Sequence, residues 1–122
     1  MVAERVLIVD DNPFNVKLAH RLLVSEGFDV RTAATPDAAL DIISSWAPRL
    51  ILMDLHLPGM DGLALTRRLR ADSAAHGSVI IAFSAASSGD EQRARDAGCD
   101  GFITKPIDTR QFGAHVRSFL RG

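Results

Sequence analysis

Four apolar runs in this chain end on side chains that could do chemistry. "RVLIVDD" ends on Asp10 and Asp11, "LILMD" on Asp54, "IIAFS" on Ser84, and "GFIT" runs into Lys105. Three carboxylates gathered in one place repel one another and their pKa values rise, unless a cation joins them. Their oxygens are hard ligands. With one cysteine, Cys99, and the histidines unclustered, they favour Mg2+ over zinc or copper. Each residue alone has a plainer reading: an Asp or Ser at a strand end is often a cap, and Lys-Pro often begins a loop. As a set they are hard to ascribe to capping, provided the strands lie side by side and point the same way.

The hydrophobic pattern supplies that arrangement. After "RVLIVD", Asn12 can cap a helix with Pro13 in its first turn. Leu18, Ala19, Leu22 and Leu23 make its apolar stripe, and Gly27 ends it. "FDVRTA" reads as a second strand. Thr35-Pro36 opens a helix with Ala39, Ile42, Ile43 and Trp46 inward, stopped by Pro48. "RLILMD" is a third strand and "GLALTRRLR" a helix with Leu65 and Leu69 inward. A polar loop at "DSAAHG" leads to a fourth strand, "SVIIAFS". "SGDEQRARDAG" is a short polar helix ended by Gly98, with little apolar face. "GFIT" is a fifth strand, and a last helix carries Phe112, Val116, Phe119 and Leu120. Short apolar strands alternating with helices predict right-handed βαβ units and an α/β fold, a doubly wound parallel sheet covered on both faces. In such sheets functional groups collect at the carboxyl ends of the strands.

Composition narrows the class. A chain of 122 residues fits one domain over 1–122, and 47% hydrophobic content is enough for a core. Fourteen Lys and Arg against fifteen Asp and Glu, scattered along the chain, give no basic face for nucleic acid or an anionic membrane. The lone Cys99 suits a reducing, cytoplasmic setting and reads as a small buried apolar residue. No apolar run is long enough to span a bilayer, and "MVAERVLIVDD" lacks the form of a signal peptide. His20, His76 and His115 read as surface residues.

Together "VLIVDDNPFN", "LILMDLHLPGMDG", "IIAFSA" and "AGCDGFITKPI" resemble the receiver domain of two-component response regulators, over essentially the whole chain and in family order. The wording of the first and last segments is similar to stand-alone, cell-cycle-type regulators, to receivers joined to diguanylate cyclases and to those of hybrid kinases. The resemblance implies a flavodoxin-like (βα)5 fold with five parallel strands in the order 2-1-3-4-5. It implies that Asp54 is the phosphoacceptor and that Mg2+ is held by Asp10, Asp11, Asp54 and the main-chain carbonyl of His56. Ser84 takes the place of the family's hydroxyl residue, Lys105 that of its lysine, and Phe102 that of its switching aromatic.

The chemistry so implied is phosphoryl transfer from a sensor histidine kinase or phosphotransfer protein to Asp54. Positioning and charge stabilisation carry the step. Ser84 then moves to the phosphoryl group, Phe102 turns into the vacated space, and a surface of the fourth helix, fifth strand and fifth helix changes for a downstream effector protein or a second copy. The polar fourth helix suits a movable element. His56 and Ala86, two residues after Asp54 and Ser84, flank the site and set how long the phosphoryl group lasts. An Mg2+-dependent aspartyl-phosphate hydrolase shares the acyl-phosphate step, but its usual second acid, two residues after the nucleophile, is replaced by His56. A flavin-binding module would want a hydroxyl- and glycine-rich phosphate loop where "DDNPFN" presents acids. A degenerate receiver would lack one of the five polar residues. With the chain stopping soon after the fifth helix, no effector domain is expected.

Overall fold

In the computed structural model, which describes residues 3–57, 61–72, 77–85 and 89–120, each apolar run ending in a polar residue is a strand. The strands β1 (Arg5–Val9), β2 (Asp29–Ala33), β3 (Leu50–Met53), β4 (Val79–Ala85) and β5 (Gly101–Lys105) alternate with five helices. These are α1 (Pro13–Ser25), α2 (Pro36–Trp46), α3 (Gly62–Ala71), α4 (Asp90–Ala97) and α5 (Phe112–Ser118). All pairings are parallel and the order is β2-β1-β3-β4-β5, as the resemblance implied.

The register matters more than the order. Val9 lies beside both Ala33 and Met53, and Ala85 beside Lys105. Asp10 N–H donates to Ala33 O at 3.0 Å and Asp54 N–H to Val9 O at 2.9 Å. The ladder thus continues one residue past β1 and β3, carrying both aspartates out on a rigid edge.

Two apolar layers enclose the sheet. Leu7, Val9, Ile51, Met53, Ile80 and Ala82 face α2, α3 and α4, whereas Val6, Ile8, Leu50, Leu52, Ile81 and Phe83 face α1 and α5. Both sides of β1 and β3 are buried, which is why these strands read as continuous apolar runs. The helices are held unequally. α3 buries Leu65 and Leu69, each contributing about 2 kcal/mol, whereas the apolar anchors of α4 are Ala94 and Ala97, worth well under half as much each.

Local chemistry sets most boundaries as read from sequence. The side chain of Asn12 caps α1, accepting from Phe14 N and Asn15 N; Thr35 caps α2 through Ala38 N; and Pro13 and Pro36 open their helices. Gly27, at φ +94°, turns the chain after α1. Pro48 bars continuation of α2, and Ala47 takes the left-handed C-cap position at φ 52°. The last helix differs from the expected stripe. Phe119 is its C-cap, with N–H bonds to Val116 and Arg117 carbonyls, and Leu120 lies beyond it. Both side chains still pack on the α1/α5 core, because apolar contact there does not require continued helix. No helix among the described residues is long and apolar enough to cross a membrane.

Candidate functional site

The carboxyl edge of the sheet gathers most of the polar residues singled out from sequence. One carboxylate oxygen from each of Asp10, Asp11 and Asp54 lies within 4.8 Å of the other two, with Asp10 and Asp54 buried and Asp11 exposed. Lys105 reaches in from the end of β5. Its Nζ is 2.8 Å from Asp10 Oδ2 and 3.6 Å from Asp54 Oδ2, and it also stands 5.0 Å from the centre of the Phe83 ring.

Main-chain donors fix the two buried acids. Asp10 Oδ1 accepts from Asn12 N at 2.9 Å, where the chain turns into α1. Asp54 Oδ1 accepts from His56 N at 3.1 Å, where it leaves β3. Those bonds leave the Oδ2 atoms facing Lys105. Burial raises the pKa of Asp54; the His56 N–H and the Lys105 ammonium pull it back, and the Asp10 charge pushes it up again. Three carboxylates against one ammonium leave net negative charge at a largely buried site. That imbalance and the hard oxygen donor set fit a divalent cation such as Mg2+.

Ser84 occupies the next strand end. It is 1% exposed and faces the same side of β4 as Ile80 and Ala82, and its Oγ has no hydrogen-bond partner among the described residues. A buried unpaired hydroxyl costs on the order of 1–3 kcal/mol. Phe102, opposite Ala82 on β5, is half-buried against the same apolar layer. Ala86 and His76 lie outside the described residues. His20 and His115 are exposed as expected, the latter stacked on Phe119 with ring centroids 5.2 Å apart. Cys99 is buried beside Thr66, Sγ to Oγ1 3.8 Å.

Two positions carry more than the sequence reading drew from them. Gly62 begins α3 directly against the main chain of Asp54: a Cβ there would sit 2.1 Å from Asp54 O and 2.8 Å from Leu55 Cα. The "MDG" motif held the signal, since a glycine beside a helix cap marks close backbone approach. Asp90, read as part of a solvated helix, is 3% exposed. Its carboxylate pairs with Arg93 and lies 3.8 Å from His56 Nε2, so the imidazole meets an acid of α4. Only the long-range fold brings those residues together.

With this geometry in view, comparison with known proteins is direct. A family model described as the response regulator receiver domain matches residues 6–117. The chain is 37% identical over 120 residues to the polar-differentiation response regulator DivK of Brucella ovis, covering 98% of each chain. A putative response regulator from Chloroflexus aurantiacus has a TM-score of 0.93 at 26% identity, over 99% of this chain and 100% of that one. The receiver domain of a sensor histidine kinase from Pseudomonas aeruginosa, solved with a magnesium ion coordinated in its active site cleft, has a TM-score of 0.89 at 29% identity. That match covers 99% of this chain and 100% of the other.

Proposed function

The chain belongs to the response regulator receiver domain family, and on that footing we propose that Asp54 carries a phosphoryl group received from a sensor histidine kinase or a phosphotransfer protein. It is a signalling module of two-component systems. We read residues 1–122 as a single receiver domain working in the cytoplasm. The observation that carries the reading is the meeting of Asp54 with Asp10, Asp11 and Lys105 at one sheet edge, where β4 ends on Ser84, whose hydroxyl has no partner among the described residues.

In the transfer step an Asp54 carboxylate oxygen attacks phosphorus in line. The new O–P bond replaces the P–N bond to the donor's imidazole, whose electron pair returns to that nitrogen. The rigid continuation of β3 and the His56 N–H hold the nucleophile in one orientation. Lys105, already within reach of Asp54, neutralises charge on the phosphoryl oxygens. Asp10, Asp11, Asp54 and the His56 carbonyl would hold Mg2+, a donor set consistent with the three clustered carboxylates and with the magnesium of the Pseudomonas receiver. Bound there, the ion supplies electrostatic stabilisation of the transferred group.

The phosphoryl group adds between about one and two negative charges and three acceptor oxygens. Ser84 turns its hydroxyl to one of them, satisfying a donor that has no partner among the described residues. The space this leaves admits Phe102, which lines a groove of about 260 Å³ with Pro106, Phe112 and His115. The surface of α4, β5 and α5 changes accordingly. An effector protein, or a second copy of the chain, reads that change. We read His56 and Ala86, two residues after Asp54 and Ser84 in the chain, as the positions that tune the lifetime of the acyl phosphate.

Incubation with acetyl phosphate and Mg2+ followed by intact-mass measurement tests the reading. The folded wild-type protein is expected to gain the mass of one phosphoryl group, and Asp54→Asn to gain none. A folded protein that remains unmodified, or an equal gain in Asp54→Asn, would overturn it.

A further inference from the structure

One side chain joins the loop after Asp54 to the first turn of α4. The main-chain N–H of His56 donates to Asp54 Oδ1, and its imidazole Nε2 lies 3.8 Å from Asp90 Oδ2. Asp90 opens α4 with its side chain 4% exposed, and its other carboxylate oxygen accepts from Arg93 Nη2. The His56 side chain is 71% exposed. Packing does little to hold the ring, and the carboxylate it faces is the contact recorded for it.

α4 is fastened more firmly at its far end. Arg70 donates from Nε to Gly98 O and from Nη1 to Ser78 O, both at 2.8 Å, and from Nη2 to Asp100 Oδ2 at 2.5 Å. Asp100 Oδ2 also accepts from Ile80 N at 2.9 Å, which ties the group to β4. The near end begins at Gly89, at φ +84°, with no capping side chain. Between the ends, Ala94 and Ala97 offer a shallow apolar face. This is a helix pinned at its C-terminus, whose first turn meets the loop after Asp54 through the 3.8 Å approach of His56 Nε2 to Asp90 Oδ2.

We propose that the His56–Asp90 contact is a latch that keeps the first turn of α4 in its resting position, and that phosphorylation of Asp54 opens it. The inference rests on Asp54 being the phosphoacceptor. A phosphoryl group there places new anionic oxygens two residues from His56. If the ring turns so that Nε2 meets a phosphoryl oxygen, Nε2 no longer faces Asp90. Asp90 then keeps Arg93, but Arg93 belongs to the same helix and moves with it, so that pair does not tie α4 to the β3–α3 loop. The latch acts through a contact made in only one state, as a switch must. It engages the end of α4 nearest Asp54, independently of the Ser84–Phe102 movement.

Amide hydrogen exchange of Arg93 and Ala94, with and without beryllofluoride and Mg2+, reads the latch directly. Exchange at both is expected to rise several-fold in the wild-type protein on treatment. In His56→Ala it is expected to be fast already and to rise little further. Asp90→Asn should behave in the same way where it folds; His56→Ala trims an exposed side chain and keeps the test available where it does not. A treated wild-type protein with unchanged α4 exchange, or an equally large rise in His56→Ala, would overturn the latch while the acetyl phosphate mass gain still stood. Loss of that mass gain would overturn the assignment of Asp54, and the latch with it.

Discussion

Lys105 is paired more closely with Asp10, at 2.8 Å, than with Asp54, at 3.6 Å. The side chain of Asp10 is 0% exposed and that of Lys105 16%. In the resting protein the lysine therefore offsets a buried charge at one carboxylate while standing within reach of another.

Removing that ammonium leaves Asp10 buried with reduced compensation. Lys105→Met is expected to lose about 3 kcal/mol in EDTA, as breaking a buried pair does. Urea unfolding measures the loss. Adding Asp10→Asn to the variant removes the uncompensated charge, so the double variant should be the more stable of the two. A double variant less stable than Lys105→Met would show that packing, not charge, sets the cost.

Asp54 carries a sign-definite pH dependence. Burial raises its pKa above the ordinary 3.8, so on raising the pH the unfolded chain ionises first. Stability from this group is full below 3.8, falls as pH rises through the folded pKa, and stays low above it. Asp54→Asn should therefore be more stable than wild type in EDTA at neutral pH, with the gap closing as pH falls toward 3.8. Mg2+ should stabilise the wild type more than the variant. Urea titrations across that range, with and without Mg2+, check both expectations.

Ser84→Ala separates resting from phosphorylated requirements. Deleting a buried hydroxyl that has no partner among the described residues should leave resting stability unchanged or raise it by up to about 1 kcal/mol. The same change removes the donor proposed for the phosphoryl group. Beryllofluoride should then produce a smaller change in the Phe102 ring signals than it does in wild type, by NMR. A clear loss of resting stability would mean that the hydroxyl already has work in the unmodified protein.

Gly62→Ala tests how closely α3 abuts the phosphoacceptor. In open helix the change would stabilise by roughly 0.5–1 kcal/mol. Here the added Cβ would meet the Asp54 carbonyl oxygen at 2.1 Å, and backbone cannot turn aside as a flexible side chain can. The expected outcome is a loss of about 1–3 kcal/mol by thermal or urea unfolding, with slower acetyl phosphate labelling because Asp54 is displaced.

Much of this protein was legible in its sequence because the deciding interactions are local or periodic. Apolar runs of strand length, Asn12 and Thr35 beside prolines, and Gly27 and Gly98 past helix ends suffice to set out alternating strands and helices. Parallel βαβ connection then puts Asp10, Asp11, Asp54, Ser84 and Lys105 at strand ends on one edge without knowledge of a single distance. What tertiary structure alone decided is which of these charges face one another. Lys105 favouring Asp10, Gly62 lying on the Asp54 carbonyl, and His56 meeting Asp90 all join residues from separate elements. Register, helix packing and ångström-scale separation determine such pairs. A one-dimensional pattern records none of these, because Coulomb energy and steric overlap depend on distance in space and not along the chain.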